Sequence, residues 1–217
     1  MVPVNGEPLL HKLAAQFRAE QVKEVVVVRG FGRDQVSAPD ARFVDNEDFA
    51  STGELVSLSK AAAFLESSAI ISFGDILFRR YILQNLILED SDIAIVVDAA
   101  WQNRSQPRNF VDYIVASHPY SLKYVEEDVE LREIGAHLKP EQVHGEWIGL
   151  MKTNANGAQR IREALAELET RPDFRQLRFD DLFRYLLAAG QSIRVLYITG
   201  HWLDVDSLDD LSAANAF

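Results

Sequence analysis

The sequence predicts an α/β fold layered around a mostly parallel sheet, in a single domain spanning residues 1–217. Three observations carry that expectation. Val25-Val26-Val27-Val28 is a run of β-branched residues with no polar face, the signature of a strand buried on both sides. Comparable apolar runs recur at 69–73, 92–98 and 194–198, each bounded by glycine or acidic residues. Between them lie segments whose apolar residues fall at helical spacing, and such alternation packs as helices on a sheet.

Taken in order, the chain opens with a short extended segment, a turn at Gly6 and a helix that has Pro8 in its first turn and Leu10, Leu13, Ala14 and Phe17 on one face. The strand at 24–29 follows, and Gly30 and Gly32 loosen the chain. A short strand at Arg42-Phe43-Val44 runs into the polar loop Asp45-Asn46-Glu47-Asp48. Ser51-Thr52-Gly53-Glu54 resembles a capping signal for a helix carrying Leu55, Leu58, Ala62 and Leu65. After the strand at 69–73 come Gly74 and Asp75, then a helical pattern through Phe78, Ile82 and Leu86. Asp92–Asp98 is another strand ending on a carboxylate, with Trp101 just beyond it, and 102–109 reads as a polar loop. From about 111 to 150, short apolar runs alternate with acidic residues, which suggests an antiparallel insertion; Glu126-Glu127-Asp128 reads as a solvated turn. Gly145–Met151 is a strand. Gly157–Glu169 and Phe179–Gly190 are helices, the second ended by its glycine. Arg194–Ile198 is the last clear strand, and Ser207 caps a short final helix.

Bulk properties exclude several classes. A net charge of -11 disfavours a nucleic-acid partner, because phosphate backbones reward basic faces. The absence of cysteine removes disulfides and thiolate metal sites. No run approaches the length of a membrane span and no basic-then-apolar leader opens the chain, so cytoplasm is the default compartment.

Two clusters of carboxylates stand out. Asp75 ends a central strand, where open α/β sheets place their ligands, although an aspartate there could equally cap the following helix. In Leu203-Asp204-Val205-Asp206 an extended chain puts both aspartates on one face. Such a pair suits Mg²⁺, which needs one or two carboxylates beside substrate phosphates; alternatively Asp206 or Ser207 simply caps the last helix. His118, His137, His144 and His201 lack metal-ligand spacing.

The order of segments carries a resemblance. Val4-Asn5-Gly6-Glu7-Pro8-Leu9-Leu10, Val44-Asp45-Asn46 through Thr52-Gly53-Glu54-Leu55-Val56-Ser57-Leu58, Phe73-Gly74-Asp75-Ile76-Leu77-Phe78-Arg79, Val97-Asp98-Ala99-Ala100-Trp101, Gly145-Glu146-Trp147-Ile148-Gly149 and Gly200-His201-Trp202-Leu203-Asp204-Val205-Asp206 together resemble nucleotidyltransferases of the sugar-phosphate type. The chain is most similar to the 2-aminoethylphosphonate cytidylyltransferases and to the domain fused to phosphoenolpyruvate mutases. That resemblance implies a Rossmann-like three-layer fold and transfer of CMP from CTP to a small phosphonate, with pyrophosphate leaving. It implies Mg²⁺ as cofactor, held by Asp75 and Asp206 with Asp204 beside them. Asn46, Thr52, Gly53, Glu54 and Gly74 resemble the nucleotide-binding positions. Arg79, Glu146 and Trp147 are carried over as substrate-binding, against plain readings as a surface ion pair, a surface carboxylate and a core aromatic. Phosphocholine or a sugar 1-phosphate is the alternative acceptor, an inactive binding module the other alternative, and a homodimer is possible.

In these relatives a strand, a Gly-rich loop with an arginine and a Pro-Lys precede the segment that here starts at Met1. The first strand lies centrally, between the runs at 25–28 and 69–73. The resemblance therefore implies a truncated domain in which those runs leave a gap, collapse together or borrow a strand, with marginal stability or self-association as the consequence.

Overall fold

The computed structural model describes residues 1–103, 111–122 and 128–217. β1 (Pro3–Val4) and β2 (Glu7–Pro8) make a tight antiparallel hairpin, turned through Asn5 and Gly6, both at positive φ. Pro8 ends that hairpin in an extended conformation (ψ 133) and helix α1 (Leu9–Ala19) starts one residue later than expected. β3 (Val26–Arg29) and β4 (Arg42–Asp45) pair in parallel. Helix α2 (Glu54–Lys60) stops short of Ala62, because 62–64 tighten into a 3₁₀ turn. β5 (Ala69–Ser72) is followed directly by β6 (Ile76–Phe78), so Phe78 belongs to a strand, and helix α3 (Arg80–Leu88) begins behind it.

The remaining elements are β7 (Ile93–Asp98), β8 (Tyr113–Ala116), β9 (Leu131–Ile134), β10 (Gly145–Thr153), α4 (Ala155–Glu169), α5 (Phe179–Ala188), β11 (Arg194–Ile198), β12 (Trp202–Asp204) and α6 (Leu208–Ala216). Asn154 caps α4 by accepting from the Gly157 N–H, and Ser207 caps α6 with Asp210 in a reciprocal box. The expected loop at 102–109 and the acidic turn at 126–128 fall mostly outside the described residues.

The main sheet runs β11-β7-β10-β8-β9, with β5 also paired to β10. β11 and β7 are parallel, while β10 is antiparallel to β5, β7 and β8, so β5, β7, β8 and β11 share one direction. The antiparallel stretch expected near 111–150 is thus no peripheral insertion. Its last strand, β10, is the centre of the sheet, a position its uniformly buried residues require. Gly149, at φ 77, absorbs a register shift in β10, and a Cβ there would lie 2.3 Å from the Phe73 ring. Across the bulge Trp147 and Met151 face one layer, Ile148 and Leu150 the other.

Three layers result. On one face Ile93, Ile95 and Val97 pack under α2, α4 and α5 through Leu55, Leu58, Ile161, Leu165, Leu182 and Phe183. On the other, Ala94, Val96, Ile148 and Leu150 pack against Leu13 and Phe17 of α1 and Ile82, Leu83 and Leu86 of α3. A third cluster joins Val4 and Leu9 to Leu77 of β6, Val205 and Ala214 of α6.

β3 and β4 form a separate two-stranded sheet. Of the three arrangements expected between the runs at 25–28 and 69–73, the structure has the gap. A groove of about 840 Å³ separates β3 from β5, and Val25–Val28 are only half-buried because one side of the strand faces it.

Candidate functional site

Asp75 does not cap a helix. It precedes β6, which pairs antiparallel with β12 in the register Ile76↔Asp204, and the Val205 N–H donates to the Asp75 carbonyl at 2.9 Å. The chain at Asp75 therefore lies one residue from Asp206 despite their separation in sequence. Alternation beyond β12 holds: Leu203 and Val205 pack into the cluster around Val4, leaving Asp204 and Asp206 on the opposite face. Asp206 is exposed and Ser207 takes the capping role, so the Asp206 carboxylate is not spent on the helix end. Arg79 lies nearby on the β6–α3 junction, its N–H donating to the His201 carbonyl and its guanidinium 4.3 Å from the Phe217 ring centre.

Asp75 and Asp206 stand just outside the ends of two paired strands, and carboxylate oxygens suit a hard cation. Among the described residues no group of three or more acidic or histidine side chains forms a metal cage. Mg²⁺ is usually held by one or two carboxylates with substrate oxygens completing the shell, and the all-oxygen chemistry of these aspartates is compatible with that ion.

A second group sits where β7, β10 and β8 meet. Glu146 is directly opposite both Asp98 and Tyr113, which places the three side chains on one face. Glu146 and Asp98 are each 3% exposed, so two carboxylates are buried side by side in register. Asp98 accepts from the Ala100 N–H, the Gly200 N–H and Trp202 Nε1, each at 2.9 Å. One carboxylate thereby ties the end of β7 to the β11–β12 turn and to the strand that leads into Asp204 and Asp206. The sequence marked Asp98 only as the end of a strand; two of its three partners, Gly200 and Trp202, lie about a hundred residues away and leave no local trace. Trp101 packs edge-on to Tyr113 with ring centres 4.9 Å apart. Tyr81 meets His201 at 3.0 Å (Oη to Nδ1), and burial first, then Asp98, raises the Tyr81 hydroxyl above its usual pKa.

The remaining expected residues divide. Trp147 is core: 3% exposed, its Nε1 donating to the Leu150 carbonyl, its ring among Phe73, Phe179 and Phe183. Its polar edge is turned to the Leu150 carbonyl within the core. Asn46 is likewise buried, donating to Thr52 Oγ1 and Ser57 Oγ and accepting from the Asp48 N–H. It and Thr52 hold the 46–52 loop in shape. Gly53 is needed for close approach, since a Cβ there would lie 2.2 Å from the Leu177 carbonyl oxygen; Gly74 meets no such neighbour. Glu54 receives both bonds of Arg178 Nε, at 3.1 and 3.2 Å. Asp112, which sequence reading passed over, stands close by: burial pushes its carboxyl up to about 6, against the opposing pull of Arg178 and with help from Asp180, Glu54 and Glu146.

Residues 1–143 match the family model of the MobA-like NTP transferase domain. No curated protein matches the sequence. Solved structures do match. The inositol-1-phosphate CTP transferase from T. maritima aligns at 17% identity with a TM-score of 0.70, over 96% of this chain and 80% of that one. The CTP:phosphocholine cytidylyltransferase LicC from Streptococcus pneumoniae aligns at 15% identity and TM-score 0.68, over 99% and 87%. A putative glucose-1-phosphate thymidylyltransferase from Bacillus anthracis aligns at 15% and 0.69, over 99% and 83%. At such identities the three share a fold with this chain.

Proposed function

Because the chain belongs to the MobA-like NTP transferase domain family and is a nucleotidyltransferase, we propose that it transfers CMP from CTP to a small phosphonate of the 2-aminoethyl- or 2-hydroxyethylphosphonate type. The carrying observation is the juxtaposition of Asp75 with the Asp204–Asp206 segment at the β6–β12 pair. Two of the structural neighbours are named as CTP-using enzymes acting on phosphorylated small molecules, which favours cytidine as the base.

In the reaction a phosphonate oxygen attacks the α-phosphorus of CTP in line. The new P–O bond forms as the bond to the β-phosphate breaks, and pyrophosphate departs with that electron pair. The nucleophile is already an anion, so no strong base is required; positioning and charge neutralisation supply the rate. Asp75 and Asp206 would hold Mg²⁺, with Asp204 beside them. Bound there, the ion would neutralise phosphate charge and orient the two reacting groups. Glu146, in register with Tyr113 of the Trp101–Tyr113 pair, would recognise the amine or hydroxyl of the acceptor. Arg79 stands at the edge of the same region as a phosphate partner. The proposed compartment is the cytoplasm; among the described residues no helix is long and apolar enough to cross a membrane.

The test is pyrophosphate release with CTP and a panel of acceptors, beside calorimetric titration of CTP with and without Mg²⁺. The expected result is Mg²⁺-dependent CTP binding, weakened at least tenfold by Asp75→Asn and by Asp206→Asn, and preference for a phosphonate. Binding untouched by both substitutions would refute the metal assignment. Preference for phosphocholine or a sugar 1-phosphate would keep the chemistry and refute the acceptor.

A further inference from the structure

The connection between α4 and α5 is bound to the loop at 46–54. The Arg175 carbonyl accepts from the Gly53 N–H at 2.8 Å, and the Leu177 carbonyl from the Leu55 N–H at 3.3 Å. Backbone donors at the start of α2 are therefore satisfied by this connection. Arg175 also reaches Asp48 and Ser51, at 3.4 and 3.3 Å, and Gln176 reaches the Ser51 carbonyl. Those side-chain contacts are exposed, so water and salt screen them. Arg178 differs. It flanks the start of α5 with only 34% of its side chain exposed, and its Nε donates to both Glu54 oxygens at 3.1 and 3.2 Å.

The same guanidinium faces a second carboxylate. Asp112 stands just before β8, its carboxyl in the field of Arg178, Asp180, Glu54 and Glu146. Its backbone is tied to the central strand, because its carbonyl accepts from the Trp147 N–H at 2.9 Å. Next to that bond lie Tyr113 and Glu146, themselves paired in register. Asp180 has Arg184 as another cation at 3.2 Å. Arg178 thus draws Glu54, at the head of α2, toward Asp112, at the head of β8. Without its charge these two half-buried carboxylates would repel one another, and more strongly than they would in bulk water.

We propose that Arg178 is a positioning residue for the transfer reaction, holding the 46–54 loop on one side against the Tyr113–Glu146 strand pair on the other. It acts through Glu54 and Asp112 and touches neither reacting group. One side chain then couples the nucleotide side of the site to the acceptor side. This role rests on the reading of the 46–54 loop as nucleotide-binding and of Glu146 as acceptor-binding; the contacts of Arg178 stand apart from it.

The experiment compares the parent with Arg178→Gln, Arg178→Lys and, as a control on the same helix, Arg184→Gln. Amide hydrogen exchange is read at Gly53 and Leu55 for the loop and at Trp147 for the strand pair. Steady-state kinetics use CTP, Mg²⁺ and 2-aminoethylphosphonate. Arg178→Gln should speed exchange at all three amides at least fivefold and raise KM for both substrates at least fivefold, with kcat within threefold of the parent. Arg178→Lys keeps the charge and should recover at least half of each effect. Arg184→Gln should leave both KM values within twofold. A rise in one KM alone, no recovery by lysine, or an equal effect of Arg184→Gln overturns the proposal. If the parent itself turns over no CTP with this acceptor, the assigned reaction fails and the exchange data alone decide the role of Arg178. Faster exchange at Gly53 and Leu55 only, or at none of the three amides, then overturns it.

Discussion

Replacing Asp98 with asparagine tests whether one buried carboxylate fixes the limb that carries Asp204 and Asp206. The substitution keeps side-chain volume, so packing is a small part of the effect. Two N–H groups, from Ala100 and Gly200, converge on Oδ1, while Trp202 Nε1 donates to Oδ2. An amide has one acceptor oxygen. In its better orientation it serves the two backbone donors and turns its own NH₂ toward the indole N–H, leaving a buried donor opposed by another. Losing a bond to a charged acceptor costs about 1.5–3 kcal/mol, and the stranded indole donor adds to it, so about 3 kcal/mol is expected in total. For a domain of this size that is a fall in Tm of about 6–12 °C. The companion Trp202→Phe keeps the ring and removes only the donor, at about 1–3 kcal/mol. The two losses share one bond, so the double variant should cost less than their sum. Denaturant unfolding of the four proteins measures this directly. A change within about 0.5 kcal/mol for Asp98→Asn, the range of an ordinary surface substitution, or strict additivity, would refute the reasoning.

Two more outcomes follow from the geometry. The Asp112 carboxyl, pushed up to about 6 by burial, binds its proton more tightly folded than unfolded, so its stabilising contribution is complete below about pH 4 and is lost as pH rises through 6. Asp112→Asn should therefore raise Tm relative to the parent at pH 8 and not at pH 4; an equal shift at both values would sink the assignment. Gly53→Ala forces a methyl against the Leu177 carbonyl and should cost about 1–3 kcal/mol, the usual range for overpacking. Gly74→Ala meets nothing and should stay within about 0.5 kcal/mol in the same unfolding assay.

The sequence by itself determined the element types, because hydrophobic period and turn chemistry are local. The runs at 25–28, 69–72, 93–98 and 194–198 are strands, Ser207 caps the last helix, and Asp204 and Asp206 share a face since Leu203 and Val205 must bury theirs. Family resemblance set Asp75 beside the last acidic segment as an expectation, and the backbone contact between Asp75 and Val205 is what the fold supplies there. Tertiary structure alone decided what depends on partners distant in the chain. Phe78 sits in a strand because Trp202 lies opposite it, although its spacing with Ile82 and Leu86 reads as helical. β10 became the central antiparallel strand because β5 and β7 approach it from both sides, which no pattern inside 145–153 encodes. Trp147 and Asn46 were drawn into the interior, and Asp98 acquired two of its three donors, only when segments distant in the chain closed around them. A side chain's tendency to bury is written at its own position; the atoms that meet it there are written elsewhere in the chain.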